Sequence, residues 1–256
     1  MHKHMLRALG LSLLAALGLM AFTAAGAQAE ALAGKAGKIK VLGVDGAANT
    51  LVTGEQEGAG TLLIPGLNTE IVCQRAHVLG GVILSGAEGK ALAEILYLEC
   101  VYWGTKTNVK GELELTTKLP CEILEDTNKA KESILAKVIL LVVLHEVSAG
   151  VSDTYVLVTG DKEGKEEGPL ASVLVTTPGE CPLPKLVEVT GSVVFQVPLG
   201  DLALGQPEEL YVLIKASKEF TKAGLFTDKL KYGVNEAFID ASALLWLIND
   251  CKWGLI

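Results

Sequence analysis

Val187-Glu188-Val189-Thr190-Gly191-Ser192-Val193-Val194-Phe195-Gln196-Val197 carries the reading of the fold. Val187, Val189, Val193, Phe195 and Val197 share one parity with Gly191, while Glu188, Thr190, Ser192 and Gln196 take the other. Successive side chains of an extended chain point to opposite sides, so this period of two marks a strand with one buried face. Leu210, Val212, Ile214 and Ala216 repeat it with Lys215 opposite, and Leu113 and Leu115 alternate with Glu112 and Glu114. Ala237 to Leu247 alternates too, although Leu244 and Trp246 blur the outer face and leave a helix as the alternative.

Val82–Leu84, Val138–Leu144 and Val156–Val158 are apolar on both parities, as in strands covered on both faces. Turn-formers separate the runs: Gly80-Gly81, Gly86, Gly104, Ser148-Ala149-Gly150, Pro178-Gly179 and Gly200-Asp201. The charged Gly160 to Gly168 reads as a solvated hairpin tip, and Gly54 to Thr61 as a loop. Thr127 to Ala136 and Ser217 to Ala223 are the two places for a turn or two of helix. The fold expected is all-β, an antiparallel β-sandwich or barrel-like body.

Outward from that body, the N-terminus reads as an address. His2, Lys3, His4 and Arg7 precede an uncharged run from Leu9 to Ala25, and Ala27-Gln28-Ala29 follows before Glu30. A positive n-region, an apolar h-region and an A-x-A site make residues 1–29 a secretory signal peptide, with an uncleaved anchor as the alternative. The exported chain is expected to begin at Glu30, which N-terminal sequencing reads directly. Residues 30–38 form a flexible lead-in and 39–256 a β-rich secreted domain, with two lobes dividing near 120–128 as an option.

The whole chain has 256 residues, with 30 acids against 22 bases, and loss of the leader removes Lys3 and Arg7. Such an acidic chain with no basic cluster is unsuited to nucleic acid, whose phosphates demand Lys and Arg. All five cysteines lie beyond the leader, and in an exported chain they are structural disulfides before they are ligands or nucleophiles. Cys73 and Cys100 sit in expected strands of the N-terminal half, whereas Cys121 and Cys181 occupy loop edges beside prolines. The pairing expected is Cys73–Cys100 and Cys121–Cys181, with Cys251 a free thiol near the C-terminus.

Candidate sites are sparse. His145 ends an apolar strand beside Glu146, and His77 follows Cys73 at a C-x-x-x-H spacing that lacks a second pair of zinc ligands. Ser85, Ser152 and Ser192 stand near glycines without completing G-x-S-x-G. The Gly54 to Thr61 run lacks the G-K-[ST] ending of a phosphate loop. Glu166-Glu167 and Glu208-Glu209 are adjacent acids that point apart, unlike a glycosidase pair facing across a cleft. Asp161, Glu163, Glu166 and Glu167 offer oxygens to calcium, but Lys162 and Lys165 interleave them. Tyr97, Tyr102 and Trp103 cluster about Cys100, while Trp246 and Trp253 lie near the C-terminus. They read as aromatics packed over a disulfide or as a carbohydrate platform. No catalytic set, cofactor motif or metal set is expected.

Leu62-Leu63-Ile64-Pro65 to Cys73, Gly81 to Ser85, Leu98-Glu99-Cys100, Cys181-Pro182-Leu183-Pro184 with Lys185 to Ser192, and Lys229 to Gly233 together resemble a group of secreted bacterial proteins of β-rich type. The resemblance covers most of the chain beyond the leader and implies export and a β-rich body, with no activity, ligand or site attached. The function expected is an exported, non-catalytic protein, secreted or periplasmic, with a binding or cell-envelope role. The alternatives are an exported hydrolase whose site assembles from distant strands, and an outer-membrane β-barrel. The thirteen aromatics (five Phe, five Tyr, three Trp) are few for the girdles such a barrel needs.

Overall fold

The computed structural model describes residues 35–41, 49–86, 88–109, 113–125, 130–148, 151–162, 165–176, 181, 183–197, 211–216, 230–248 and 252–255. The strands in chain order begin with β1 (Lys35–Ala36), β2 (Ile39–Val41), β3 (Leu51–Ile64), β4 (Thr69–Ser85), β5 (Lys90–Thr107) and β6 (Leu113–Lys118). Next come β7 (Glu122–Glu125), β8 (Ser133–Ser148), β9 (Val151–Lys162), β10 (Lys165–Gly168), β11 (Ala171–Thr176) and β12 (Leu186–Thr190). The last are β13 (Ser192–Gln196), β14 (Tyr211–Ala216), β15 (Lys231–Tyr232), β16 (Asn235–Glu236), β17 (Phe238–Leu247) and β18 (Trp253–Leu255). One 3-10 turn, Pro65–Leu67, links β3 to β4, with Asn68 in the left-handed region after it.

Of the two all-β architectures, the chain adopts the barrel. Strands β9, β13, β14, β17, β3, β4, β5 and β8 hydrogen-bond in that order, and the β8–β9 hairpin closes the ring. Every pairing in the ring is antiparallel. Closure removes the open edges that a sandwich leaves.

A smaller sheet, β7–β11–β12–β15–β16, joins the ring where Ala171 of β11 pairs with Ala136 of β8. Of the stretch 120–128, Glu122–Glu125 form β7 on the edge of this smaller sheet, and residues 126–128 lie outside the described residues. At the other end of the barrel the β2–β18 ribbon buries Ile39, Val41, Trp253 and Leu255 in the main core. Ile39 N–H donates to Gly86 O at 2.8 Å, which seats this ribbon beside the β4–β5 turn. Of the expected lead-in, Lys35–Ala36 pairs with Val143 and Leu144 of β8. Residues 1–29, expected from the sequence to be a leader, lie outside the described residues.

Several local expectations need correction. Val187–Val197 is two strands: Gly191, at a φ of 94°, breaks the run, so β12 pairs with β11 and β15 while β13 pairs with β9 and β14. Val187, Val189, Val193, Phe195 and Val197 are all buried across the break. However, β13 is covered on both faces, since Ser192 is buried and Val194 packs with Val143, Tyr155 and Leu157. Gly54 to Thr61 is a strand segment of β3, not a loop, and its glycines accompany a register shift against β4. Gly80-Gly81 and Gly104 lie inside β4 and β5 rather than in turns. Gly80 stands at a register shift, the usual reason for glycine within a strand. Residues 133–136 begin β8, so the Thr127 to Ala136 segment ends in strand, and Ser217 to Ala223 lies outside the described residues. Leu84, expected under cover, is 38% exposed. The Gly160–Gly168 hairpin is present as β9 and β10, and Ala237 to Leu247 is a strand.

Two disulfides hold the fold. Cys73 and Cys100 face each other in register on β4 and β5, with Cα atoms 4.0 Å apart. Cys121, just before β7, bonds Cys181 in the segment ahead of β12, with Cα atoms 5.1 Å apart. Cys251 lies outside the described residues.

The two sheets are also joined by a buried phenol pair, for the Tyr102 and Tyr232 hydroxyls hydrogen-bond between β5 and β15. Burial disfavours both phenolates, raising the Tyr102 pKa above the ordinary 10.0 and pushing Tyr232 to about 12. Tyr102→Phe strands the Tyr232 hydroxyl in a dry site and costs about 1–3 kcal/mol, whereas the double change to Phe costs less than the two single changes summed. Urea unfolding of the three variants reads this, and strict additivity would remove the coupling. The pH sign follows from the same shifts. The folded state holds these protons more tightly than the unfolded chain, so stability is full below pH 10 and falls between about pH 10 and 12.

Candidate functional site

The barrel interior is the site. With eight strands a barrel is just wide enough to be filled by side chains or to hold one small ligand. Here small residues leave space: Ala91 and Ala93 on β5, Ala136 on β8, and Ala241 and Ala243 on β17 all line a cavity of about 140 Å³. Gly54 and Gly60 on β3 line it as well, and Val138, Val158 and Phe195 supply larger walls. Leu170, Val173 and Val189 of the appended sheet face the same space, so that sheet covers the barrel end marked by the Cys73–Cys100 bridge.

Inward positions along β4 and β5 switch parity together. Cys73 and then Ala76 are buried on β4, while Tyr97 and then Cys100 turn inward on β5. Glu99, at a φ of 55°, makes the switch on β5, and its carboxylate pairs outside with Arg75 at 2.5 Å. The switch keeps the disulfide in the core cluster while Tyr97 packs against that cluster from the cavity wall. Burial pushes the Tyr97 phenol up to about 12.

Gln56 also lines the cavity, as do Glu55, Thr61, His77 and Ser242, and it shares its parity on β3 with Val52 and Gly54. Its Nε2 donates to Gly58 O at 2.5 Å and to Cys73 O at 3.1 Å. Sequence reasoning missed it because the segment was read as a loop. A lone amide in phase with Val52, Gly54, Gly60 and Leu62 was the available signal.

Of the residues singled out from sequence, Cys73, His77 and Tyr97 line the cavity, and the others do not converge on it. His77 stands between Ala76 and Val78 on β4, in register with Glu55 and Leu96, and Cys73 is consumed by its disulfide, so the C-x-x-x-H zinc spacing is void. His145 pairs in register with Asp153. Ser85 Oγ accepts a hydrogen bond from the Glu88 amide at 3.2 Å, which is a turn role. Ser152 lies in β9, and Ser192 is buried at the start of β13. Glu166 and Glu167 lie on β10, while Glu163, Glu208 and Glu209 lie outside the described residues. Among the described residues no group of three His, Cys, Asp or Glu side chains is placed to hold a metal ion.

Of the aromatics, Tyr102 joins the disulfide in the core and Trp253 is buried in β18. Trp246 meets the exposed Tyr211 edge-on, with centroids 5.8 Å apart and planes at 66°. That arrangement presents no flat pair of ring faces to a sugar. No protein-family model, curated protein or solved structure matches the chain, so its chemistry is read from the lumen itself.

Proposed function

We propose that the chain is an exported, non-catalytic binding protein, secreted or periplasmic, whose barrel lumen holds one small apolar ligand. The apolar cavity of about 140 Å³ carries this reading. An engineered cavity of roughly 150 Å³ with an apolar lining stays dry and binds benzene, which sets the size of ligand expected. The lining is mostly apolar, and its polar members are Glu55, Gln56, Thr61, His77, Tyr97 and Ser242. Of these, the Ser242 hydroxyl donates to Glu57 O rather than to His77. That favours binding over the hydrolase alternative, which needs a nucleophile and a base in reach of one another.

The distribution of charge supports a barrel in water over one in lipid. A membrane barrel turns apolar residues outward and polar ones into the lumen. Here the exposed Glu94 and Lys137 face each other on the outer wall, 3.1 Å apart across β5 and β8, and Lys215 and Asp240 are exposed on β14 and β17. Among the described residues no helix is long and apolar enough to cross a membrane. Two disulfides fit an oxidising compartment, and the leader supplies the export route.

Benzene titrated into the purified protein, followed by methyl NMR, is expected to saturate at one site and to shift Val138, Val158 and Ile134. Ala93→Leu fills the space and abolishes those shifts while the fold, read by circular dichroism, is kept. Methyl spectra unmoved by benzene, or moved equally in Ala93→Leu, would overturn the lumen as a binding site. A broad hydrolase screen on the same sample is expected to return nothing, and turnover of any ester, amide or glycoside would favour the alternative.

A further inference from the structure

We propose that the lumen selects a small apolar molecule bearing one hydrogen-bond donor, an alkanol or a phenol, whose hydroxyl donates to Oε1 of Gln56. The proposal rests on the lumen as binding site and adds the chemistry of the ligand's polar end. Both amide hydrogens of Gln56 are committed, to Gly58 O and to Cys73 O. Turning the amide over would set Oε1 against those two carbonyl oxygens, so its orientation is fixed by its neighbours. Oε1 is thereby left buried and without a hydrogen-bond partner. A buried acceptor of this kind is costly to leave unmade, and a ligand that satisfies it recovers that loss.

The surroundings keep this oxygen available. A Cβ at Gly60 would lie 2.9 Å from Gln56 Oε1, so glycine there leaves the amide its place in the wall. Leu62, Ile71, Ala76 and Ala243 line the lumen and donate no hydrogen bond from their side chains, and the Ser242 hydroxyl, also in the lining, donates to Glu57 O. An unsatisfied buried acceptor in a mostly apolar cavity of benzene size matches a molecule with an apolar body and a hydroxyl. A carboxylate would set its charge against that acceptor and be rejected. An amine would have to shed its charge first.

Phenol and benzene titrated in parallel into the whole protein test this. The expected result is about tenfold tighter binding of phenol, with the side-chain carbonyl carbon of Gln56 shifting on phenol addition and not on benzene addition. In Gln56→Leu benzene binding is retained and the phenol preference is lost. The carbonyl-carbon shift is read on the native chain, so the test stands even where Gln56→Leu fails to fold. Equal affinities with no Gln56 shift would overturn the donor selection and leave the lumen reading intact. Failure of both compounds to bind would overturn the two together.

Discussion

Replacing Cys121 and Cys181 together by alanine is expected to lower the unfolding free energy by about 4 kcal/mol in the chain-entropy description of a disulfide. The bridge spans 60 residues of sequence and encloses β7 to β11. It ties the start of β7 to the segment that enters β12, two strands that flank β11 from opposite sides. Little backbone pairing does the same task, since β7 and β12 each meet β11 over four register pairs. Cys73–Cys100 spans 27 residues, for which the same description gives roughly 3.5 kcal/mol. Its strands are already held by the longest ladder in the molecule, running from Thr69–Gly104 to Ser85–Lys90. The order of effects is therefore Cys121–Cys181 above Cys73–Cys100, read from urea midpoints at constant slope. A loss under 1 kcal/mol for the first pair would show that the appended sheet is held by its side chains alone.

The strand content was legible in the sequence because burial follows parity, and parity survives changes of partner. Val212, Ile214 and Ala216 are buried and Lys215 exposed, as alternation requires. What parity cannot show is which strand lies alongside. Val187 to Val197 keeps its inward parity while passing from the appended sheet into the ring, where Val194 on the other face is buried as well, and the φ of Gly191 marks the change. Closure was equally silent, since the residues of the β8–β9 hairpin that complete the ring look like any apolar strand pair.

The lumen was hidden for a related reason. Ala91, Ala93, Ala136 and Ala243 are unremarkable singly, and they make a cavity only because the ring turns them to a common axis. Glycine misled in the same way. Read locally, Gly54, Gly58 and Gly60 signal a loop, whereas in β3 they accompany register shifts against β4, and Gly60 makes room for Gln56. The disulfide pairing was more accessible, because loop-edge and in-strand cysteines sort themselves by their neighbours.

The second large effect is expected at Trp253. Its side chain is 2% exposed, and β18 pairs it with Val41 of β2, against the barrel end where Ile39 meets Gly86 O and Gly37 meets Val142 O. Truncation to alanine removes the largest fully buried side chain and leaves a void that the short ribbon, three residues a side, is poorly able to close. The cost is expected at about 3–5 kcal/mol. Trp246→Ala is the contrasting change, since that ring is only partly buried and meets the exposed Tyr211 edge-on, and it should cost about 1 kcal/mol. Amide hydrogen exchange locates the effect as well as measuring it. With Trp253 gone, Val52, Val142 and Leu247 beside the ribbon should exchange faster, while Ile71 and Ser133 at the end covered by the appended sheet change only through global unfolding. Equal costs for the two tryptophans, or uniform acceleration along the barrel, would mean that the β2–β18 ribbon does not close this end.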